Sequence, residues 1–231
     1  MGILVLYGTI QSIVGVGLLL FGTPTLLLLQ VPYPVVLWIL LPASCCLSLI
    51  QIIQGWQLVS DKRNSIIFVL PPLIIMLLLI FEDFLSVNIT QMVGIILILI
   101  ACFRMRPLPN IIGTDYALKY KKIWYSMIGG IHGCSNLGGA PLTALMSALH
   151  SDQKTLNANV AFIYFSLALS QMVVLTALEV EHFEIEYLGF IPLVISIHIV
   201  TNYLVGGRIN KTVFDGLITL MILVFGFLCL F

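Results

Sequence analysis

Apolar residues run in eight long stretches along this chain, at about residues 3 to 30, 34 to 57, 65 to 81, 87 to 103, 123 to 149, 158 to 178, 187 to 205 and 213 to 231. Runs near ~20 apolar residues are long enough to cross the hydrocarbon core as helices, and lipid leaves a spanning backbone no hydrogen-bond partner but itself. The pattern therefore predicts an all-α polytopic membrane protein. One stretch breaks the rule. Between Ile123 and Leu149 lies GGIHGCSNLGGAP, Gly129 to Pro141, with five glycines, a His, a Cys, a Ser, an Asn and a Pro. The backbone groups such a run frees must be buried in protein or line a cavity.

The stretches fall into two similar sets of four. Gly22-Thr23-Pro24 matches Gly139-Ala140-Pro141 at an offset of 117, Gln51 matches Gln171 at 120, and Thr90 matches Thr212 at 122. Their common order predicts a duplicated unit, residues 1–105 and 123–231, joined by a basic linker at 106–122. Repeats of this kind build many transporter folds.

Loop charge then predicts how the halves lie. Basic loops face the cytoplasm. Lys62 and Arg63, the linker with Arg104, Arg106, Lys119, Lys121 and Lys122, and the pair Arg208 and Lys211 are expected inside. Glu82 and Asp83, and the run Glu179, Glu181, Glu184 and Glu186, are expected outside. These assignments conflict if the fifth and sixth stretches both cross. They agree if the fifth, 27 residues and ~40 Å long as one helix at 1.5 Å per residue, bends near Asn136 and returns. By the repeat, the first stretch would bend between Gly15 and Pro24. Each half then has a Gly-rich re-entrant or broken hairpin plus three transmembrane helices, and three crossings make the repeats inverted.

Composition removes several function classes. Charged residues make up 9% of the chain, against about 25% in soluble domains, and the ten Lys and Arg form no stripe for nucleic acid. Met1 to Leu20 lacks the basic start of a cleaved signal peptide, so the first stretch is expected to be retained. Cys45, Cys46, Cys102, Cys134 and Cys229 show no metal-ligand spacing, and no HExxH or paired carboxylate lies in a span, so neither a metal, a cofactor nor an enzyme is expected. The sequons at Asn88 and Asn210 abut membrane segments and carry little weight.

The remaining chemistry is that of helix ends. Proline is favoured at the start of a helix, where its missing N–H costs nothing. Pro141 and Pro24 are thus candidate starts of the returning half-helices, after Gly138-Gly139 and Gly22. Helix N-termini direct free N–H groups and a partial positive charge at what lies before them, which suits an anion. Apart from Asp215 near an end, the stretches hold no Lys, Arg, Asp or Glu. An anion would be held by dipoles and neutral groups: Ser135 and Asn136 at one tip, Thr23 at the other, and Gln51 and Gln171 beside them, with Asn157 and Asn159 in support. Each of these could instead tie helices together. His132 and His198 are the groups that could titrate within the spans, with His132 the candidate for proton sensitivity.

The glycine pattern Gly129, Gly133, Gly138, Gly139 and Pro141, followed by KTLNANVAFIYFSLALSQ from Lys154 to Gln171, resembles the TauE/SafE family of sulfite exporters. In the first half, Gly15, Gly17 and Gly22 are spread out rather than compact. The resemblance implies a secondary transporter or facilitator of sulfite-like or organic anions in the cell (plasma) membrane. Export driven by the membrane potential is expected. The expected partners are the small anion and lipid, with a homodimer open as the assembly. Two alternatives remain, a proton-coupled anion importer and a non-transporting membrane assembly subunit.

Overall fold

Apolar sequence without a partner for its backbone folds as helix throughout, and no strand occurs among the described residues. The computed structural model describes residues 1–82, 88–105, 114–205 and 211–231. Asp83, Arg106, Arg208 and Asn210 lie outside them, as do the side chains of Lys211, Thr212 and Asp215. The helices are α1 (Gly2–Val14), α2 (Leu18–Leu28), α3 (Tyr33–Gly55), α4 (Lys62–Phe81), α5 (Ile89–Met105), α6 (Thr114–Lys119), α7 (Lys121–Ser135), α8 (Gly139–Leu149), α9 (Gln153–Leu178), α10 (Phe190–Val205) and α11 (Lys211–Leu228). Among the described residues, four helical stretches are long and apolar enough to cross a membrane: Tyr33–Leu58, Lys62–Phe81, Gln153–Leu178 and Ile185–Leu204.

The first and fifth apolar stretches are each broken into two short helices. At the first break Gly15 is left-handed, with φ 82°, and its N–H closes on Gln11 O at 2.8 Å. The chain then reverses. Tyr7 and Thr25, eighteen positions apart, meet through Tyr7 Oη and Thr25 Oγ1 at 2.9 Å, and the Tyr7 and Phe21 rings lie 5.6 Å apart. At the second break Asn136 is left-handed, φ 64°, and its N–H closes on His132 O at 2.7 Å. Lys121 at the start of α7 and His150 just after α8 line one cavity, so this hairpin also returns to the end from which it came.

The expectation that Pro24 begins a returning helix is corrected. Pro24 is the seventh residue of α2, which starts at Leu18 directly after Gly17. Pro141 does lie in the first turn of its helix, third after Gly139 and Ala140, where the missing N–H breaks no helical bond. Gly22, Thr23 and Pro24 are therefore buried inside α2 rather than at a tip. The left-handed residues Gly15 and Asn136 stand 121 apart, not 117, and so do the helix starts Leu18 and Gly139.

The long helices α3 and α9 pack antiparallel. Trp38 Nε1 donates to Glu179 O at 2.9 Å at one end, while at the other Asn159 Oδ1 accepts from Ser60 N at 2.9 Å and Asn159 Nδ2 donates to Leu58 O at 3.0 Å. Around this pair α4 packs on α7, α10 on α1, and α5 on α11. Lys62, Arg63, Lys121, Lys122 and Lys154 gather at the Ser60 end, and Glu179, Glu181, Glu184 and Glu186 at the Trp38 end. The outer faces expose Ile75, Leu99, Val173, Ile199 and Leu220, while Gln11, Thr23, Ser44, His132, Asn136 and Gln171 are buried. Apolar residues outside and polar ones within suit a lipid surround and a polar interior.

Candidate functional site

Both hairpin tips reach the middle of a long helix. At the first, Gln11 Oε1 accepts from Leu18 N, the first amide of α2, at 3.2 Å, and Gln11 Nε2 donates to Ser44 Oγ in mid-α3 at 3.2 Å. Gln51 Nε2, two turns further along α3, donates to Gln11 O at 3.4 Å. A side chain thus caps the helix start from within the hairpin, in place of the residue just before the helix that ordinarily does so.

The second tip repeats this arrangement with other side chains. His132 Nδ1 accepts from Gly138 N at 3.2 Å, and Ser135 Oγ accepts from Leu137 N at 3.4 Å, so the tip amides lean on the end of α7. The His132 ring meets the edge of Tyr164 in mid-α9, centroids 5.5 Å apart, and Gln171 faces the same ring. His132, Tyr164, Gln171 and Asn136 are each fully buried. His132 Nε2, Tyr164 Oη, Asn136 Oδ1 and both polar atoms of Gln171 have no hydrogen-bond partner. Buried polar groups are nearly always paired, so a cluster of unpaired ones is informative.

The two tips meet. Asn136 Nδ2 donates to Thr23 Oγ1 at 3.0 Å across 113 residues of sequence. Val16 packs on Gly139, where a Cβ would stand 3.0 Å from Val16 Cγ1 and from Tyr164 Oη. No charged side chain is buried among the described residues. The site is consequently neutral and rich in donors, an environment that can strip water from an anion and return it without breaking an ion pair.

Of the residues singled out in the sequence, Asn136, Ser135, Gly138, Gly139, Pro141, Thr23 and Gln171 come together here, joined by His132. Gln51 lies on the Gln11 side, and its Oε1 is buried without a partner. Pro24 and Gly22 are buried one turn from Thr23 or less, as part of the α2 wall. Asn159 is not at the site, because its amide ties α9 to the turn after α3 at the basic end, while the half-buried Asn157 accepts from Gln153 at 2.7 Å and holds its Oδ1 4.0 Å from where a Cβ on Gly15 would stand. His198 bonds Asn202 within α10. Sequence reasoning missed Gln11 and Tyr164. Their signal was positional: Gln11 stands 121 before His132, and Tyr164 stands 120 after Ser44 and seven before Gln171, on the same face of α9.

A cavity of about 240 Å³ opens at the basic end between the outer ends of the second hairpin and the turn after α3, lined by Ser60, Asp61, Lys121, Tyr125 and His150 among others. Lys121 Nζ pairs with Asp61 Oδ2 at 2.6 Å inside it. Burial, with Lys121 alongside, holds the His150 imidazole below its ordinary pKa, so this mouth carries one cation, one balancing carboxylate and a neutral ring near pH 7.

No curated protein and no solved structure matches the chain. The family described as Sulfite exporter TauE/SafE matches residues 1–231, its whole length. A helical protein with apolar outer faces, two broken hairpins meeting at a neutral polar centre and this match from end to end is a membrane protein that belongs to the TauE/SafE sulfite exporter family.

Proposed function

We propose that this protein carries small sulfur-containing or organic oxyanions, of the sulfite or sulfonate kind, out across the plasma membrane. The anion is bound where the two hairpin tips meet. The observation that carries this reading is the group of fully buried, unpaired polar atoms of His132, Tyr164, Asn136 and Gln171 beside the start of α8. An assembly subunit without transport would have no use for such a centre. Because the centre holds no ionised side chain, an anion can bind and leave without a compensating proton. An inside-negative potential favours its exit by about 2.3 kcal/mol per charge per 100 mV. Export as potential-driven facilitation follows, rather than proton-coupled import.

The same reading treats the chain as two inverted repeats, 1–105 and 123–231, around the linker at 106–122. Reciprocal packing supports it: α4 lies on α7 as α10 lies on α1, and α3 pairs with α9 as α5 does with α11. Each repeat contributes one hairpin and three crossing helices, and the basic Ser60 end faces the cytoplasm. A cysteine introduced at Glu184 in a cysteine-free background is expected to react with an impermeant thiol reagent from outside intact cells. One introduced at Lys122 should react only after permeabilisation. Reaction of position 184 solely from the cytoplasm would overturn the orientation.

The function itself is tested by flux in purified proteoliposomes with sulfite, thiosulfate, sulfonates and carboxylates, with and without an imposed voltage. Saturable sulfite or sulfonate flux that follows voltage is expected. Absence of flux for every anion would overturn the transporter reading, and flux that requires a pH gradient would overturn the coupling.

A further inference from the structure

The two tips are built on one plan, yet their hydrogen bonding differs. In the first, Gln11 uses Oε1 to hold Leu18 N–H and Nε2 to reach Ser44, and Gln51 Nε2 reaches Gln11 O. The amide donors of Gln11 and Gln51 are both engaged there, and Ser48 Oγ and Gln51 Oε1 on the same face of α3 are the groups left without a partner. In the second, the residues standing 121, 120 and 120 positions later are His132, Tyr164 and Gln171. His132 and Tyr164 stand where the first tip has Gln11 and Ser44, Gln171 repeats Gln51, and His132 Nε2, Tyr164 Oη and the Gln171 amide are left without a hydrogen bond.

Resting on the transport reading above, we infer that the tips are functionally unequal: the first is a structural cap, and the second binds the anion through His132 Nε2–H as the donor that determines specificity. The tautomer follows from the cap. Gly138 N–H points at Nδ1 from 3.2 Å, so Nδ1 must be the acceptor and the neutral ring carries its proton on Nε2. A proton on Nδ1 would set two N–H groups against each other and release the turn at Asn136-Leu137-Gly138. The ring is fully buried, and its Nε2 makes no hydrogen bond of good geometry, with the Gln171 amide lying beside it. A neutral N–H aimed into a dry centre is a donor awaiting an acceptor.

Tyr164 Oη and Gln171 Nε2 add two further donors on one face of α9. Three neutral donors match in number a head group of three oxygens, as in sulfite or a sulfonate. Gln at this place in the first tip presents the same acceptor to the helix start, but its donor is consumed by Ser44. The unequal chemistry assigns the substrate to the second tip.

Two substitutions separate cap from donor. In His132→Asn the amide oxygen takes the place of Nδ1, so Gly138 keeps its partner while nothing stands at Nε2. In His132→Gln the amide nitrogen reaches the place of Nε2, and the cap is lost. A hydrogen bond to a charged group is strong enough that losing it costs about tenfold to a hundredfold in affinity.

H132N is therefore expected to melt in detergent close to the parent protein and to show a sulfite KM raised about tenfold to a hundredfold. H132Q should keep KM within about threefold but melt lower. Nitrogen-15 NMR of histidine-labelled parent protein, with His132 assigned by elimination from spectra of variants that lack His150, His182 or His198, should show a protonated Nε2 that shifts on adding sulfite. An unchanged KM in H132N overturns the inference and leaves the transport reading standing. If H132N fails to fold, a ring protonated at Nδ1, or one indifferent to sulfite, overturns it by itself. Loss of all flux in the parent protein is a different outcome, which removes the transport reading and this assignment together.

Discussion

Replacing Asn136 by glycine is expected to cut anion flux at least tenfold while the protein still inserts, purifies and melts within a few degrees of the parent. Asn136 does three things at once. It adopts the left-handed conformation that ends α7, it donates from Nδ2 to Thr23 on the opposite hairpin, and it presents a buried Oδ1 to the centre. Glycine keeps the first of these without strain and deletes the other two. Buried hydrogen bonds between membrane helices average only ~0.6 kcal/mol, so losing the Thr23 bond alone leaves the fold intact but frees the tips to part. Asn136→Ala should lose flux equally and be less stable by about 1 to 2 kcal/mol, because a Cβ resists the left-handed region. Flux and melting temperature measured on both variants make the separation. Parent-like flux in Asn136→Gly would remove Asn136 from the transport centre, and equal stability of the two variants would show that backbone strain does not matter there.

The hairpin around Asn136 was legible in the sequence because two independent signals met on it. Five glycines in an apolar run demand an explanation in lipid, and the loop charges on either side agree only if the chain turns back. The first hairpin had the charge argument by analogy alone, and its bend was misplaced. Likeness of Gly22-Thr23-Pro24 to Gly139-Ala140-Pro141 pointed to Pro24, but proline does not choose the bend. A left-handed residue and a side chain reaching back to cap the next helix choose it. Those are Gly15 with Gln11, and Asn136 with His132. Gln and His share an acceptor in similar places but no letter, so sequence likeness passed over the pair. Tyr164 was hidden for another reason: a tyrosine in an apolar helix resembles core, and only its unpaired hydroxyl beside Gly139 marks it as part of the site. Gln51 and Gln171 were matched by sequence, but Gln51 Nε2 donates to Gln11 O while the Gln171 amide is left without a hydrogen bond, a contrast no residue letter carries.

Gly129 and Gly133 are a third case. Their spacing belongs to the family-like glycine pattern, yet neither is at the tip. Both lie on the face of α7 that meets α4, where a Cβ on Gly129 would run into the carbonyl oxygen of Val69 and one on Gly133 would stand 2.6 Å from Leu73 O. Small residues four apart let two helix backbones touch in the membrane. Gly130, on the neighbouring face, has open space, with only Pro72 Cβ at 4.0 Å. Alanine favours a helix over glycine by up to ~1 kcal/mol, so propensity alone would make all three Gly→Ala changes stabilising. Overpacking a close contact costs ~1 to 3 kcal/mol, and here the obstacles are backbone atoms that no rotamer can move aside. The clash therefore outweighs propensity at 129 and 133 and is absent at 130. Gly130→Ala is expected to purify as a monodisperse protein melting at or above the parent temperature, whereas the pair Gly129→Ala and Gly133→Ala should aggregate or melt markedly lower. Because α7 carries His132 and Asn136 at its far end, any of the paired variant that does fold should also lose flux. A double variant that is monodisperse, parent-like in melting and active would mean that α7 does not need backbone contact with α4 to hold the tip against α9.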